Sequence, residues 1–269
     1  MKEKFFELKI QSPNADILKD FAFELGITCI EEINEGFIIR DEDELDNIKW
    51  GLEEFAKRTN TQIKTSIEVK DNIDWINEYK KGIKPVLAGK FYIRPSWEAS
   101  KNGLIDIIID PALAFGSGHH ESTSSCLNFI SKYINLNTHK TALDVGCGSG
   151  ILSISLAKLG LKVDACDTDE LAVLSSKENG IKNKIEFNDI WTGSVMATHK
   201  KYDVVAANII ADVILLLVKD LKNSINDNGY LIISGILTKY KERILKNFGD
   251  LELVENITLN EWESFIFKK

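Results

Sequence analysis

Cysteine and proline are both scarce in this chain, with four of each among 269 residues. The cysteines, Cys29, Cys126, Cys147 and Cys166, are scattered and form no CxxC pair. That spacing argues against a zinc ribbon or a disulfide framework and makes reduced, mostly buried thiols the expectation. Long apolar runs are missing as well, since none approaches the ~20 residues of a bilayer-spanning helix. Nor does "MKEKFFELKI" hold an apolar stretch followed by a small-residue cleavage site, so a cytoplasmic protein without membrane contact is expected. Positive charge is in deficit: 33 Lys+Arg stand against 41 Asp+Glu, a net charge of −8. Such a balance disfavours general attraction to phosphates, and no sequence-specific nucleic acid binding is expected. The deficit is concentrated in residues 1–70, which hold 16 acidic and 10 basic residues. That suits either a basic partner or a solvated surface.

What remains is an ordinary globular composition, 44% hydrophobic and 28% charged, long enough for one large domain or two modest ones. In "KFFELKI", Phe6, Leu8 and Ile10 share one face at period two, a strand signal. Ile17, Leu18, Phe21, Ala22 and Leu25 fall at helical spacing before Gly26. "ITCIEEI" and "GFIIR" then read as a hairpin, Glu42 to about Arg58 as a helix, and "QIKTSIEV" as a strand. The order βαββαβ predicts a small α+β, ferredoxin-like domain over residues 1–70. Residues 71–100 read as a connector with a short helical piece, "IDWINEYKKG", followed by "KFYIRPSW". From 101 to 269 the runs "LIDIIID", "TALDVG", "KVDACD", "KIEFND", "YDVVAAN" and "YLIISG" alternate with helical stretches. Regular alternation predicts an α/β, Rossmann-like, mostly parallel sheet, ending in an antiparallel edge hairpin from "LELVENITLN" and "WESFIFKK".

The segment "ALDVGCGSGILSISLAKLG" places a glycine turn, Gly146 to Gly150, between a strand and a helix. Its G-x-G-x-G spacing is not the pyrophosphate fingerprint, and no Lys-Ser/Thr follows as a phosphate loop requires. Asp144 just before the turn would repel a phosphate. About 20 residues further on, Asp167 ends the next strand, where a carboxylate can accept both hydroxyls of a ribose. Acid on both sides of Gly146 and Gly148 suits a ligand with a nucleoside and positive charge, and S-adenosyl-L-methionine has both. Asp167 could instead cap the helix starting in "TDELAV", and Asp189 in "FNDIW" is either an adenine contact or an ordinary turn residue. Asn208 ends the strand "YDVVAAN", where ligands bind such sheets. Its amide can orient an amine toward a sulfonium methyl; the alternative is a helix cap. In "DPALAFGSGHHESTSS", His119, His120 and Glu121 suggest a metal, but adjacent histidines point to different sides of a strand or helix and no H-E-x-x-H is present. No metal is expected. Gly116 and Gly118 allow a close turn over the cofactor, Thr123 starts the following helix, and Phe115 and His119 are candidates to touch the acceptor.

The strings "DPALAFGSGHHEST", "LDVGCGSGILSI", "ACDTDELAV", "VVAANIIAD" and "ISGIL" resemble, in order and spacing, the ribosomal-protein methyltransferase family called PrmA. That family modifies the eleventh protein of the large ribosomal subunit. The resemblance covers nearly the whole chain and is strongest from Asp74 to Gly235. It implies cofactor contacts at Thr123, Gly146, Asp167 and Asn208, with Phe115, Gly116, Gly148 and Asp189 as further candidates. It also implies an N-terminal substrate-recognition domain, a basic ribosomal protein as substrate, and transfer to lysine side chains and the N-terminal amine. A monomer is expected. Ser117 and Ser122 stand where the family more often has threonine, and Asp212 where a small residue is usual. The alternative keeps the chemistry and changes the acceptor to another protein lysine, a small molecule or a nucleic acid. Absence of the Asn-Pro-Pro-Tyr pattern disfavours a base stacked on an aromatic ring.

Overall fold

Residues 4–27, 29–71, 84–110 and 120–269 are described by the structure, a computed structural model of the chain. The helical piece expected within 73–82 therefore lies outside the described residues, as do Phe115, Gly116, Gly118 and His119. Two compact units divide the chain, Met1–Ile83 and Lys84–Lys269.

In the first unit β1 (Lys4–Gln11), α1 (Ala15–Glu24), β2 (Glu31–Ile33), β3 (Gly36–Asp41), α2 (Asp46–Arg58) and β4 (Lys64–Asp71) follow one another. The strands pair antiparallel in the order β2-β3-β1-β4. Period two along β1 sends Leu8 and Ile10 into a core with Leu18, Ala22, Leu52 and Ala56 of the helices. Glu7 points to the other face, between Arg40 and Lys70. The helix α2 starts at Asp46 rather than Glu42, because the Asp41 carboxylate accepts the Asp43 N–H at 2.9 Å and holds a turn there.

The second unit begins with a three-stranded sheet of β5 (Val86–Ala88), β6 (Phe91–Arg94) and β7 (Ile105–Ile108). Here the structure departs from the expectation that "LIDIIID" joins the parallel sheet. Asn183 donates to the Ile108 carbonyl at 2.7 Å and accepts its N–H at 2.8 Å, so a side chain closes that edge of β7. Ala88, Phe91, Ile93 and Ile107 are buried in the same core as the helices beyond, which builds much of the expected connector into this unit.

The larger sheet draws on β8 (Thr141–Val145), β9 (Lys162–Asp167), β10 (Asp189–Thr192), β11 (Tyr202–Asn208), β12 (Ile225–Leu237), β13 (Glu252–Leu259) and β14 (Trp262–Lys268). Its order is β10-β9-β8-β11-β12-β14-β13. Strands β8 to β12 are mutually parallel, and β14 is antiparallel to both of its neighbours. Its helices are α3 (Glu121–Tyr133), α4 (Ile151–Lys158), α5 (Glu170–Lys182), α6 (Ala211–Leu216), α7 (Val218–Asn223) and α8 (Lys241–Asn247). Alternation along β11 shows why both faces are covered: Val204 and Ala206 enter one core, Val205 and Ala207 the other. The strand order reverses between β8 and β11, which opens a crevice at their carboxyl ends.

One strand boundary differs from expectation in a way that matters for the site. Residues of "KIEFN" are used to finish α5: Lys184 takes a positive φ of 57° and the Ile185 N–H returns to the Gly180 carbonyl at 2.8 Å. Strand β10 consequently starts only at Asp189, opposite Asp164.

Candidate active site

The crevice holds a cavity of about 440 Å³. Gly146, Gly148, Asp167 and Thr168 form one wall, Asn208, Ile209, Ile210 and Val213 another, and His120 and Trp262 a third. Gly193 and Ser194, which follow β10, also reach it. No lysine or arginine is among its described lining residues.

The glycine turn is pinned from beneath. Gly146 and Cys147 both donate to the Cys166 carbonyl, at 2.8 and 3.1 Å, and Asn179 donates to the Ser149 carbonyl at 2.9 Å. Gly146 has φ of +75°, and a Cβ there would stand 2.3 Å from Ile209 Cγ2. Only glycine allows Ile209 to pack directly on this turn. Asp167 accepts the Gly148 N–H at 2.9 Å through one carboxylate oxygen and the Asp169 N–H at 3.0 Å through the other. The cap of α5 is Asp169, whose side chain accepts from Leu171, so the capping alternative for Asp167 is removed. Each Asp167 oxygen retains acceptor capacity, because a carboxylate offers about four lone-pair sites.

Asp144 is fully buried behind the turn. Burial pushes its carboxyl up to about 6, against the two hydrogen bonds that Ser153 donates from N–H and hydroxyl at 3.0 and 2.5 Å. Its second oxygen has no partner. The same desolvation pushes the Cys126 and Cys166 thiols up to about 12. At neutral pH these sulfurs are inert neutral packing groups.

Asn208 ends β11 with its amide nitrogen donating to Thr123 Oγ1 at 3.1 Å. The side-chain oxygen is buried and has no partner. Helix α6 is capped by Ile210, so the capping alternative for Asn208 is removed too. Behind the amide, Gly235 has φ of +80°, and a Cβ there would lie 2.6 Å from the Ile209 carbonyl and 3.2 Å from Asn208 Oδ1. Thr123, in the first turn of α3, is fully buried. His120 caps that helix: its Nδ1 accepts the Ser122 N–H at 3.2 Å, while its ring meets Trp262 edge-on at 4.7 Å.

Thr123, Gly146, Gly148, Asp167 and Asn208 are thus brought together, whereas Asp189 is not. It opens β10 at the end away from the turn and lies 3.7 Å from Lys200. Asp189, read from sequence as an adenine contact or an ordinary turn residue, is not among the described residues lining the cavity, where Gly193 and Ser194 follow the carboxyl end of β10. Glu121 is engaged by Asn260 at 2.8 Å, and among the described residues no group of three His, Cys, Asp or Glu could hold a metal. Sequence reasoning missed Gly235 and Trp262. Gly235 closes the run "YLIISG" and lies in the quoted "ISGIL", but neither string assigns it a role.

A parallel sheet with this switch point, one inserted antiparallel strand, and a glycine turn tied to an acid defines a Rossmann-like, class I S-adenosylmethionine-dependent methyltransferase. A family model described as "Ribosomal protein L11 methyltransferase (PrmA)" matches residues 27–269. The chain belongs to the ribosomal protein L11 methyltransferase (PrmA) family. It is 76% identical over 268 residues to a ribosomal protein L11 methyltransferase of Campylobacter fetus subsp. fetus (strain 82-40), covering all of this chain and 98% of that relative. The corresponding protein of Campylobacter concisus (strain 13826) is 55% identical, with 100% of this chain and 99% of the relative covered. Among solved structures, a ribosomal protein L11 methylase from Lactobacillus delbrueckii subsp. bulgaricus superposes with a TM-score of 0.64 at 28% identity, covering 69% of this chain and 98% of that one.

Proposed function

We propose that this enzyme methylates ribosomal protein L11 on amines, both lysine side chains and the N-terminal amine, with Asn208 orienting the acceptor. The relatives carry that acceptor in their names. The observations that support Asn208 most directly are that it lines the cavity shared with Gly146 and Asp167 and that its side-chain oxygen is left without a partner. Such an oxygen costs free energy until a donor reaches it, and an amine N–H is a donor of the right kind.

The residues present fit S-adenosylmethionine. A side chain at Gly146 would have no room, Asp167 has spare acceptor positions for two ribose hydroxyls, and a lining without lysine or arginine suits a cation better than a phosphate. When bound, the cofactor supplies an electrophilic methyl group on a positively charged sulfur. In this reading Gly146, Gly148, Asp167 and Thr123 seat the cofactor, and Thr123 also fixes the Asn208 amide. Gly193 and Ser194 take the position that Asp189 had been expected to fill.

A lysine ammonium has an ordinary pKa of about 10.4 and must lose a proton before it can attack. Apolar neighbours, Ile209, Ile210, Val213 and Trp262, disfavour the charged form and lower that value. Water can carry the proton away, so alignment by Asn208 does more than any protein base. Residues 1–70 serve as a ferredoxin-like substrate-recognition domain, their acidic surplus matching a basic ribosomal protein. The enzyme works as a monomer in the cytoplasm; no described helix is long and apolar enough to cross a membrane.

Incubation with labelled cofactor and unmethylated L11, followed by mass mapping, tests the reading. Label on L11 amines is expected, and label absent from L11 but present on another acceptor would replace it.

A further inference from the structure

Helix α6 turns two sides to different surroundings. Ala211 and Ile214 are buried in the core with Leu143 and Leu231. Ile210, Val213 and Leu216 face outward, 65%, 37% and 79% exposed. Exposed apolar side chains scattered singly are ordinary, but these three fall within seven residues, one at the N-cap of α6 and two along the helix. Ile210 and Val213 also line the cavity beside Asn208. The strip therefore begins inside the site and ends in open solvent at Leu216.

Its placement is enforced by the backbone. Ile209 lies against Gly146 on one side and Gly235 on the other, and its N–H is given to the Ser234 carbonyl at 3.1 Å. Ile210 consequently leaves β11 in an extended conformation, φ −63° and ψ 146°, before α6 begins. The clamp at Ile209 fixes where α6 begins and with it where the strip starts.

We propose that Ile210, Val213 and Leu216 form a docking strip for the segment of the acceptor protein flanking the methylated amine, and that this segment is apolar. This rests on the reading of the site given under the proposed function. Any amine brought to Asn208 draws its flanking residues past Ile210 and Val213, which line the same cavity. Residues 209–218 contain no lysine or arginine and a single acid, Asp212, so the strip has nothing with which to hold a phosphate backbone. Aliphatic surface of this kind is covered well by aliphatic side chains of a protein. The strip thus selects among amines by their neighbours, leaving orientation of the nitrogen to Asn208.

Leu216 tests this best, because it is the most exposed of the three and does not line the cavity. The full-length enzyme carrying Leu216→Ser, Leu216→Asp or Leu216→Met is assayed with labelled cofactor and unmethylated L11. The KM for L11 is expected to rise about tenfold in Leu216→Ser, and further in Leu216→Asp, while Leu216→Met stays near the parent. The kcat and the cofactor Kd from calorimetry stay at the parent values. An unchanged KM in both polar variants overturns the strip, and so does a matching loss of cofactor affinity, which would make α6 part of the cofactor seat. A parent enzyme that labels no L11 overturns the acceptor assignment and with it the occupant named here, and this result is read before any variant is made.

Discussion

Asn208 has two polar ends, and the fold occupies one of them. Thr123 takes the amide nitrogen, and the buried oxygen is left without a partner. Removing the side chain should therefore separate two functions: in Asn208→Ala, methyl transfer is expected to fall by about a hundredfold or more. Cofactor affinity should stay within about threefold, and calorimetry beside a label-transfer assay compares the two. Asp144 has the opposite character, an acid buried without a charge partner, with its carboxyl raised from 3.8 to about 6. A raised folded value means that the folded chain holds this proton more tightly than the unfolded one. Its stabilising share is thus complete below pH 4 and is lost as pH rises to about 6. Relative to Asp144→Asn, the parent should lose on the order of 3 kcal/mol across that window and run parallel above it, as denaturant melts at a series of pH values would show. At this scale the places of Asp167 and Asn208 in the cavity lining could be read from sequence because each stands at the carboxyl end of an apolar run. Asp189 lies outside that lining because its own strand starts with it, and Trp262 was read as strand because nothing local says that a β14 residue will reach the cavity.

Elements were easier to recognise than their partners. The alternation from residue 141 onward marks a parallel sheet, and β8, β9, β11 and β12 fall where the apolar runs stand. "LIDIIID" has the same apolar character, yet β7 belongs to another sheet. What decides is a single buried side chain: Asn183, 2% exposed, which meets both backbone groups of Ile108 and also donates to the Asn179 carbonyl at 2.8 Å. A pairing by a side chain from a distant helix leaves no periodic trace in the strand. Asn183→Ala should cost about 3 kcal/mol, since three hydrogen bonds are lost and buried groups are left unpaired. Thermal and denaturant melts measure it. Because Asn179 also holds the Ser149 carbonyl, the cofactor turn should loosen with β7, and cofactor affinity is expected to weaken in the same variant.

At the scale of the molecule, the division into two units was visible as a change of pattern, from strand and helix in a split arrangement to strict alternation. The boundary was less visible, because Val86–Ala88 and Phe91–Arg94 are short strands whose place is decided by a core formed much later in the chain. If residues 1–70 recognise the acceptor, a chain limited to Lys84–Lys269 should bind cofactor within about threefold of the parent while its KM for L11 rises at least tenfold. A KM that survives the truncation would assign recognition to the second unit alone.

The position of β14 has a further consequence. This strand follows every other strand of its sheet in the chain, yet it lies between β12 and β13 and contributes Trp262 to the cavity wall. During synthesis the edge of β12 therefore waits, unpaired, until residues up to Lys268 have emerged. A nascent chain stopped between β12 and β14 has the glycine turn and Asn208 but an open sheet edge and an incomplete wall. Methylating competence thus arrives late and all at once, and the unfinished enzyme is a candidate for chaperone capture rather than for premature work on ribosomal proteins.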